Sequence, residues 1–170
     1  MIRTLRLAAV AALLATPLAA QDNAAGAAAE GGGLDAARNV LADLESRSSP
    51  DDVATTMDRL VAAAEAAGAT VFARVDHAEG AREAGLELGE AQLLVFGNPQ
   101  LGTPVMREDI RAGLFLPLRV LVHATENGSR IVWQSPEEML DELGFDDDME
   151  ALVKMNGALE NLTAKAAGQG

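Results

Sequence analysis

Asn127-Gly128 stands between two runs of strand-forming residues, Pro117 to Ala124 and Ile131 to Gln134. An Asn-Gly pair in that setting is a strong signal for a two-residue hairpin, because the favoured turn needs positive φ at both central positions. At least one strand pair must then be antiparallel, which constrains the rest of the chain. Upstream, β-branched Thr70 to Val75 and nearly all-apolar Ala91 to Phe96 read as strands, the second as a central one. Strands alternating with helices would by themselves suggest a parallel α/β sheet. The hairpin turns the expectation to α+β: a single domain with a small, mainly antiparallel sheet and helices packed on one face.

The helices are read from their starts. Ser49-Pro50-Asp51-Asp52 offers a capping hydroxyl, Pro at the first helical position and two acids on the positive end of the dipole. Val53, Met57, Leu60, Val61 and Ala64 follow at helical spacing, and Gly68 closes the helix. Asp76 begins a short helix to Ala84, closed by Gly85. Gly97 to Thr103 reads as a loop, and Thr103-Pro104 as the next helix start, with Glu108 and Asp109 near its beginning. Ser135-Pro136-Glu137-Glu138 repeats the start formula. Asp146, Asp147 and Asp148 lead a final helix whose inner face takes in Met149, Leu152, Val153, Leu159 and Leu162, with Gly157 weakening its middle. Val40 to Arg47 alternates weakly as a strand, with a helix from Leu34 as the competing assignment.

The N-terminus predicts an address. Arg3 and Arg6 precede an unbroken apolar run, Leu7 to Leu14, then Thr16-Pro17 and Leu18-Ala19-Ala20. That is the order of a secretory signal over residues 1–20, and the run is too short to span a bilayer. A periplasmic or secreted protein is expected, with no transmembrane anchor after cleavage. Residues 21–38, rich in Ala and Gly, bury too little to offset their ordering entropy and read as a flexible linker. The domain is expected over 39–165, with its core at 40–144 and the C-terminal helix at 146–165.

Charge and cysteine content exclude whole classes. The chain carries a net −13, and losing residues 1–20 takes two Arg and no acid, leaving −15. Such a surface repels phosphate backbones, so nucleic acid is excluded as a partner. With no cysteine there are no disulfides, thiol nucleophiles, zinc-thiolate sites or iron–sulfur clusters. No Tyr, one Trp and four Phe leave the core to aliphatic residues.

Three features could carry chemistry. Asp76-His77, with Glu79 three residues on, has capping-box spacing, which makes Asp76 an N-cap. His77 in the first helical turn is then kept neutral by the dipole and able to bind a metal or donate a hydrogen bond. The loop from Gly97 through Asn98, Gly102 and Thr103 to Pro104 has phosphate-loop glycine spacing. It lacks the Lys that motif needs after its second Gly, which disfavours a nucleotide. Met106, with His77 and His123, adds thioether to imidazole, ligands suited to copper. No nucleophile elbow is present.

The stretch from Phe72 to Pro117 carries a resemblance. Phe72-Ala73-Arg74-Val75-Asp76-His77, Gly85-Leu86-Glu87-Leu88, Gln92 to Pro99, Gly102-Thr103-Pro104-Val105-Met106 and Leu116-Pro117-Leu118 resemble the family called domain of unknown function 302. Thr56-Met57-Asp58-Arg59-Leu60 is similar to its opening helix. The resemblance implies a compact domain with an antiparallel sheet and no established activity. Its most characteristic residues fall on Asp76, His77, Asn98, Pro99, Gly102, Thr103, Pro104 and Met106, which implies that they gather around one pocket. The chain departs from the pattern at Arg107, at His123 and at Trp133-Gln134-Ser135-Pro136.

The leading expectation is a non-enzymatic module that binds or senses a small ligand or metal. Asp76, His77, Asn98, Gly102, Thr103 and Met106 form its candidate site, and copper or haem is the cofactor such a set would take. A structural or partner-binding envelope module, in homodimeric form, is the second expectation. A hydrolase or isomerase with His77 as general base is the third.

Overall fold

A computed structural model describes residues 44–146 and 148–169. The expected signal, the linker and residues 40–43 of the first strand lie outside them. Five strands, β1 (Leu44–Ser49), β2 (Thr70–Asp76), β3 (Ala91–Gly97), β4 (Leu118–Thr125) and β5 (Gly128–Gln134), form one sheet in the order β1-β5-β4-β3-β2. Every neighbouring pair is antiparallel. The helices are α1 (Val53–Ala66), α2 (His77–Glu83), α3 (Pro99–Glu108), α4 (Pro136–Leu140) and α5 (Glu150–Ala166). Short 3-10 turns follow α3 at Ile110–Leu114 and α4 at Asp141–Leu143. This is the α+β architecture expected, with β3 an interior strand.

Alternation decides which face of the sheet is covered. Leu94, Val120 and Trp133 stand in register across β3, β4 and β5, as do Phe96 with Leu118 and Val122 with Ile131. All are buried, and α1 lies across them with Met57 and Leu60 fully enclosed. Each such side chain contributes about 1.5–3 kcal/mol of burial free energy. α5 packs on α1, α3 and α4 and touches β1, burying Leu152, Met155, Leu159 and Leu162. Val153, expected on the inner face, is half exposed, because helical geometry points it away from the row that Met155 joins.

Four expected boundaries move, each for a local reason. Ser49 does not cap α1. It is buried at the end of β1, and its hydroxyl accepts from Thr56 Oγ1 at 2.9 Å, so the cap passes to Asp52, whose carboxylate accepts from the Thr55 amide at 2.7 Å. The Gly97–Thr103 loop is largely helix: Asn98 caps α3 by accepting from the Gln100 amide, and Pro99 takes the first helical position. Pro104 therefore lies inside α3, and Glu108 and Asp109 lie at its end. The final helix begins at Glu150, behind the acidic run, with no side chain capping it.

The hairpin shifts by one residue. Thr125 pairs with Gly128, so Glu126 and Asn127 form the turn and Gly128 opens β5 at φ 121°. A Cβ there would overlap the Ser49 carbonyl oxygen and come within 2.8 Å of the Pro50 carbonyl carbon. Beside it, Ser129 Oγ lies 2.9 Å from Thr56 Oγ1, so three buried hydroxyls from β1, α1 and β5 satisfy one another.

Two glycine substitutions should move stability in opposite directions. Gly157→Ala, mid-helix with open space around the new Cβ, should stabilise by about 1 kcal/mol in urea unfolding. Gly128→Ala should destabilise by at least about 1–3 kcal/mol, the scale of a strained backbone position. Equal effects from the two would contradict the packing at that corner.

Candidate functional site

The sheet end where β2 and β4 begin and β3 finishes is not filled by side chains. A cavity of about 560 Å³ opens there, between the strand ends, α3 and α5. β2 and the turn before it contribute Ala69 and Phe72; β3 contributes Phe96 and Gly97. α3 supplies Leu101, Gly102, Thr103 and Met106 behind its cap Asn98, and α5 supplies Met155, Ala158 and Leu162. Leu116, Pro117 and Leu118 close the β4 side. The lining holds no charged residue, and its polar side chains are those of Asn98 and Thr103.

Backbone shape makes this possible. Phe72 occupies a bulge in β2, between Val71 opposite Phe96 and Ala73 opposite Val95. Its ring leans over Gly97, where an added Cβ would meet it at 3.6 Å and Pro117 at 3.3 Å. Gly102 turns its bare face towards Leu116 and Met106, which an added Cβ would meet at ordinary contact distances, unlike the tight approach at Gly97.

Four of the six expected site residues, Asn98, Gly102, Thr103 and Met106, therefore line one cavity. Asp76 and His77 stand outside its lining, at the opposite end of β2. Asp76 caps α2: one carboxylate oxygen accepts from the Glu79 amide at 2.9 Å and the other from Gln92 Nε2 at 3.0 Å. The Glu79 amide bond, above all, holds the Asp76 carboxyl below its ordinary pKa, with the Gln92 bond adding to it. His77 is the exposed first residue of α2. His123 lies on β4 opposite Ala91 and Arg130, its Nδ1 3.0 Å from the Ala124 carbonyl oxygen. Among the described residues, no three acidic or imidazole side chains gather as a metal would require.

A family profile described as "Domain of unknown function DUF302" matches residues 45–162. The chain belongs to the DUF302 family. The crystal structure of an uncharacterized conserved DUF302 protein from Bacillus stearothermophilus matches with a TM-score of 0.62 at 20% identity, covering 75% of this chain and 97% of that one. That likeness carries the fold. Two curated relatives, each named "Fluoride-specific ion channel FluC 1", come from Brucella suis biovar 1 (strain 1330) and Brucella abortus biovar 1 (strain 9-941). Each is 50% identical over 93 residues, which is 55% of this chain and 35% or 33% of theirs. The chain thus spans about a third of the length of these relatives.

In this DUF302 domain the pattern-bearing residues fall into two groups, one at each end of β2. About a third of the cavity wall, including Ala67, Ala69, Leu101 and Ala158, lies outside the stretches that carry the resemblance. Phe72 had a signal, as the first residue of the stretch that carries the resemblance. Ala69 and Ala158 had none, since small residues mark a cavity only once their neighbours are known.

The Asp76 cap has a testable pH signature. Its folded pKa lies below the unfolded value, so its stabilisation is full above the ordinary carboxylate range and is lost as pH falls through the folded value. In an NMR titration, Asp76 should ionise below the usual Asp midpoint, and the Glu79 amide should lose exchange protection with it. Asp76→Ala should abolish that protection at every pH while leaving the cavity intact.

Proposed function

We propose that this DUF302 domain is a non-enzymatic binding module whose cavity takes a small apolar ligand. The observation that carries the reading is the composition of the lining: aliphatic and aromatic side chains, one amide and one hydroxyl, and no ionisable group. Ligand pockets are typically apolar clefts of about 300–1,000 Å³ with a few polar groups that fix orientation. A guest held here meets no side chain able to take or give a proton at neutral pH, which disfavours a hydrolase or isomerase. Met106 offers a thioether, but no imidazole joins it in the lining, so the copper and haem readings lose support beside the apolar one. Export through residues 1–20 belongs to the same proposal and rests on their sequence order alone.

A partner-binding reading is favoured by one observation. On the sheet face away from α1, Val75, Leu93, Leu121 and Val132 stand in one cross-strand row. The occupant proposed for it is a second copy. Sedimentation velocity should then give a dimer that Leu121→Lys dissociates, and a monomer at all concentrations would end this reading.

For the main reading, 1-anilinonaphthalene-8-sulfonate should bind the folded chain saturably at one site, read by fluorescence. Ala158→Phe, which fills the cavity from a half-buried helix position, should weaken that binding at least tenfold with unchanged far-UV circular dichroism. Dye binding that ignores the substitution would place the apolar site elsewhere.

A further inference from the structure

The cavity's size, its rim and the surface beside it narrow the ligand class, on the reading that the cavity binds an apolar guest. At about 30 Å³ for each heavy atom, the share of a water in its liquid, a cavity of about 560 Å³ holds roughly twenty non-hydrogen atoms. That matches one long hydrocarbon chain and falls short of the two chains of a membrane phospholipid together.

The two polar groups sit where a head group would need them. Asn98 spends its carbonyl oxygen on the Gln100 amide at 2.9 Å, which leaves its side-chain amide as the donor. Thr103, exposed on α3, adds a hydroxyl. Together they suit an oxygen-bearing head, with the tail among Phe96, Met106, Met155 and Leu162.

The surface next to this site carries the two most exposed large aliphatic side chains among the described residues. The 3-10 turn after α3 leaves Ile110 78% and Leu114 82% exposed, and Phe72 is 59% exposed at the cavity itself. The turn is continuous with the wall: Gly113 lies against the Met106 sulfur, where an added Cβ would sit 3.5 Å away, and Leu116 lines the cavity. A net charge of −13 repels membranes elsewhere on the molecule. Here Arg111 bonds to Asp109, and Arg107, exposed and without an ion pair among the described residues, offsets Glu108, so the segment 107–114 carries no net charge. Aliphatic side chains flanked by arginines are the composition of a surface that rests in a bilayer interface.

We infer that the cavity takes up a single-chain lipid with an oxygen-bearing head, such as a fatty acid, directly from a bilayer on which Ile110 and Leu114 dock.

The test compares full-length chains, so that residues 1–43 are common to all and differences report the substitutions. Two readouts are used: binding of a fluorescent fatty acid in solution, and the rate of its transfer from phosphatidylcholine vesicles to the protein. The double variant Ile110→Asp, Leu114→Asp alters exposed positions and should bind the probe in solution as the parent does, yet acquire it from vesicles at least tenfold more slowly. Leu86→Asp, an exposed leucine after α2, should behave as the parent in both, and Ala158→Phe should fail in both. Equal transfer by the double variant, or equal slowing by Leu86→Asp, would overturn docking at the turn. A parent that binds anilinonaphthalene sulfonate but not the fatty acid would overturn the lipid class and leave the apolar site standing. A parent that binds neither would end both.

Discussion

The corner where Gly128 meets Ser49 and Pro50 sets the geometry on which the rest of the molecule depends. With no side chain at the start of β5, the end of β1 can close onto the hairpin, and the chain turns at once into α1. The hydroxyls of Ser49, Thr56 and Ser129 then find one another in a place that water does not reach. Each would be costly to bury alone, on the order of 1–3 kcal/mol for an unsatisfied group. Together they tie a strand, a helix and a hairpin that are remote in sequence. α1 thereby crosses the sheet at a fixed angle, α5 docks on α1, and α3 docks on α5.

The cavity follows from that order of docking. α1 packs on β2 to β5, but it ends at Ala66, and the open end of the sheet is walled by alanines and glycines, α3 and the middle of α5. A chain with four Phe and no Tyr has little bulk with which to fill such a gap. Were the space sealed and empty, the surrounding structure would lose about 24 cal/mol for each Å³. Over about 560 Å³ that is on the order of 13 kcal/mol, as much as the whole stability of an ordinary domain. A gap this large persists because it opens at Phe72, Thr103 and Pro117, and a guest that fills it recovers dispersion contacts that the protein cannot make alone.

Most of the fold was legible because local rules and tertiary structure agreed. Alternation in β3 to β5, the caps at Asp76 and Ser135, and Gly68 after α1 did in the folded chain what their chemistry suggests in isolation. Two of the misplaced starts share one cause. Each offered two capping residues within a few positions, Ser49 or Asp52, Asn98 or Thr103, and the folded chain uses the second in one case and the first in the other. Ser49 was needed in the hydroxyl cluster. Asn98-Pro99 opens α3, and Pro104 sits inside it without a backbone donor and with its ring crowding the preceding turn. For the site, the family-like residues of the Gly97–Met106 stretch pointed to the cavity, whereas the alanines that hollow it out carry no signal of their own.

The division of Asp76 and His77 from the cavity explains why residues so prominent in the pattern need not share one role. Asp76 has both carboxylate oxygens engaged, one on the first turn of α2 and one on Gln92 of β3. It thereby ties the start of α2 to the neighbouring strand. The bulge that sets Phe72 over Gly97 lies at the far end of β2. One end of β2 anchors a helix and the other presents an aromatic wall. A pattern spanning both thus covers two structural tasks, a helix cap and a cavity wall, and neither calls for chemistry at the histidine.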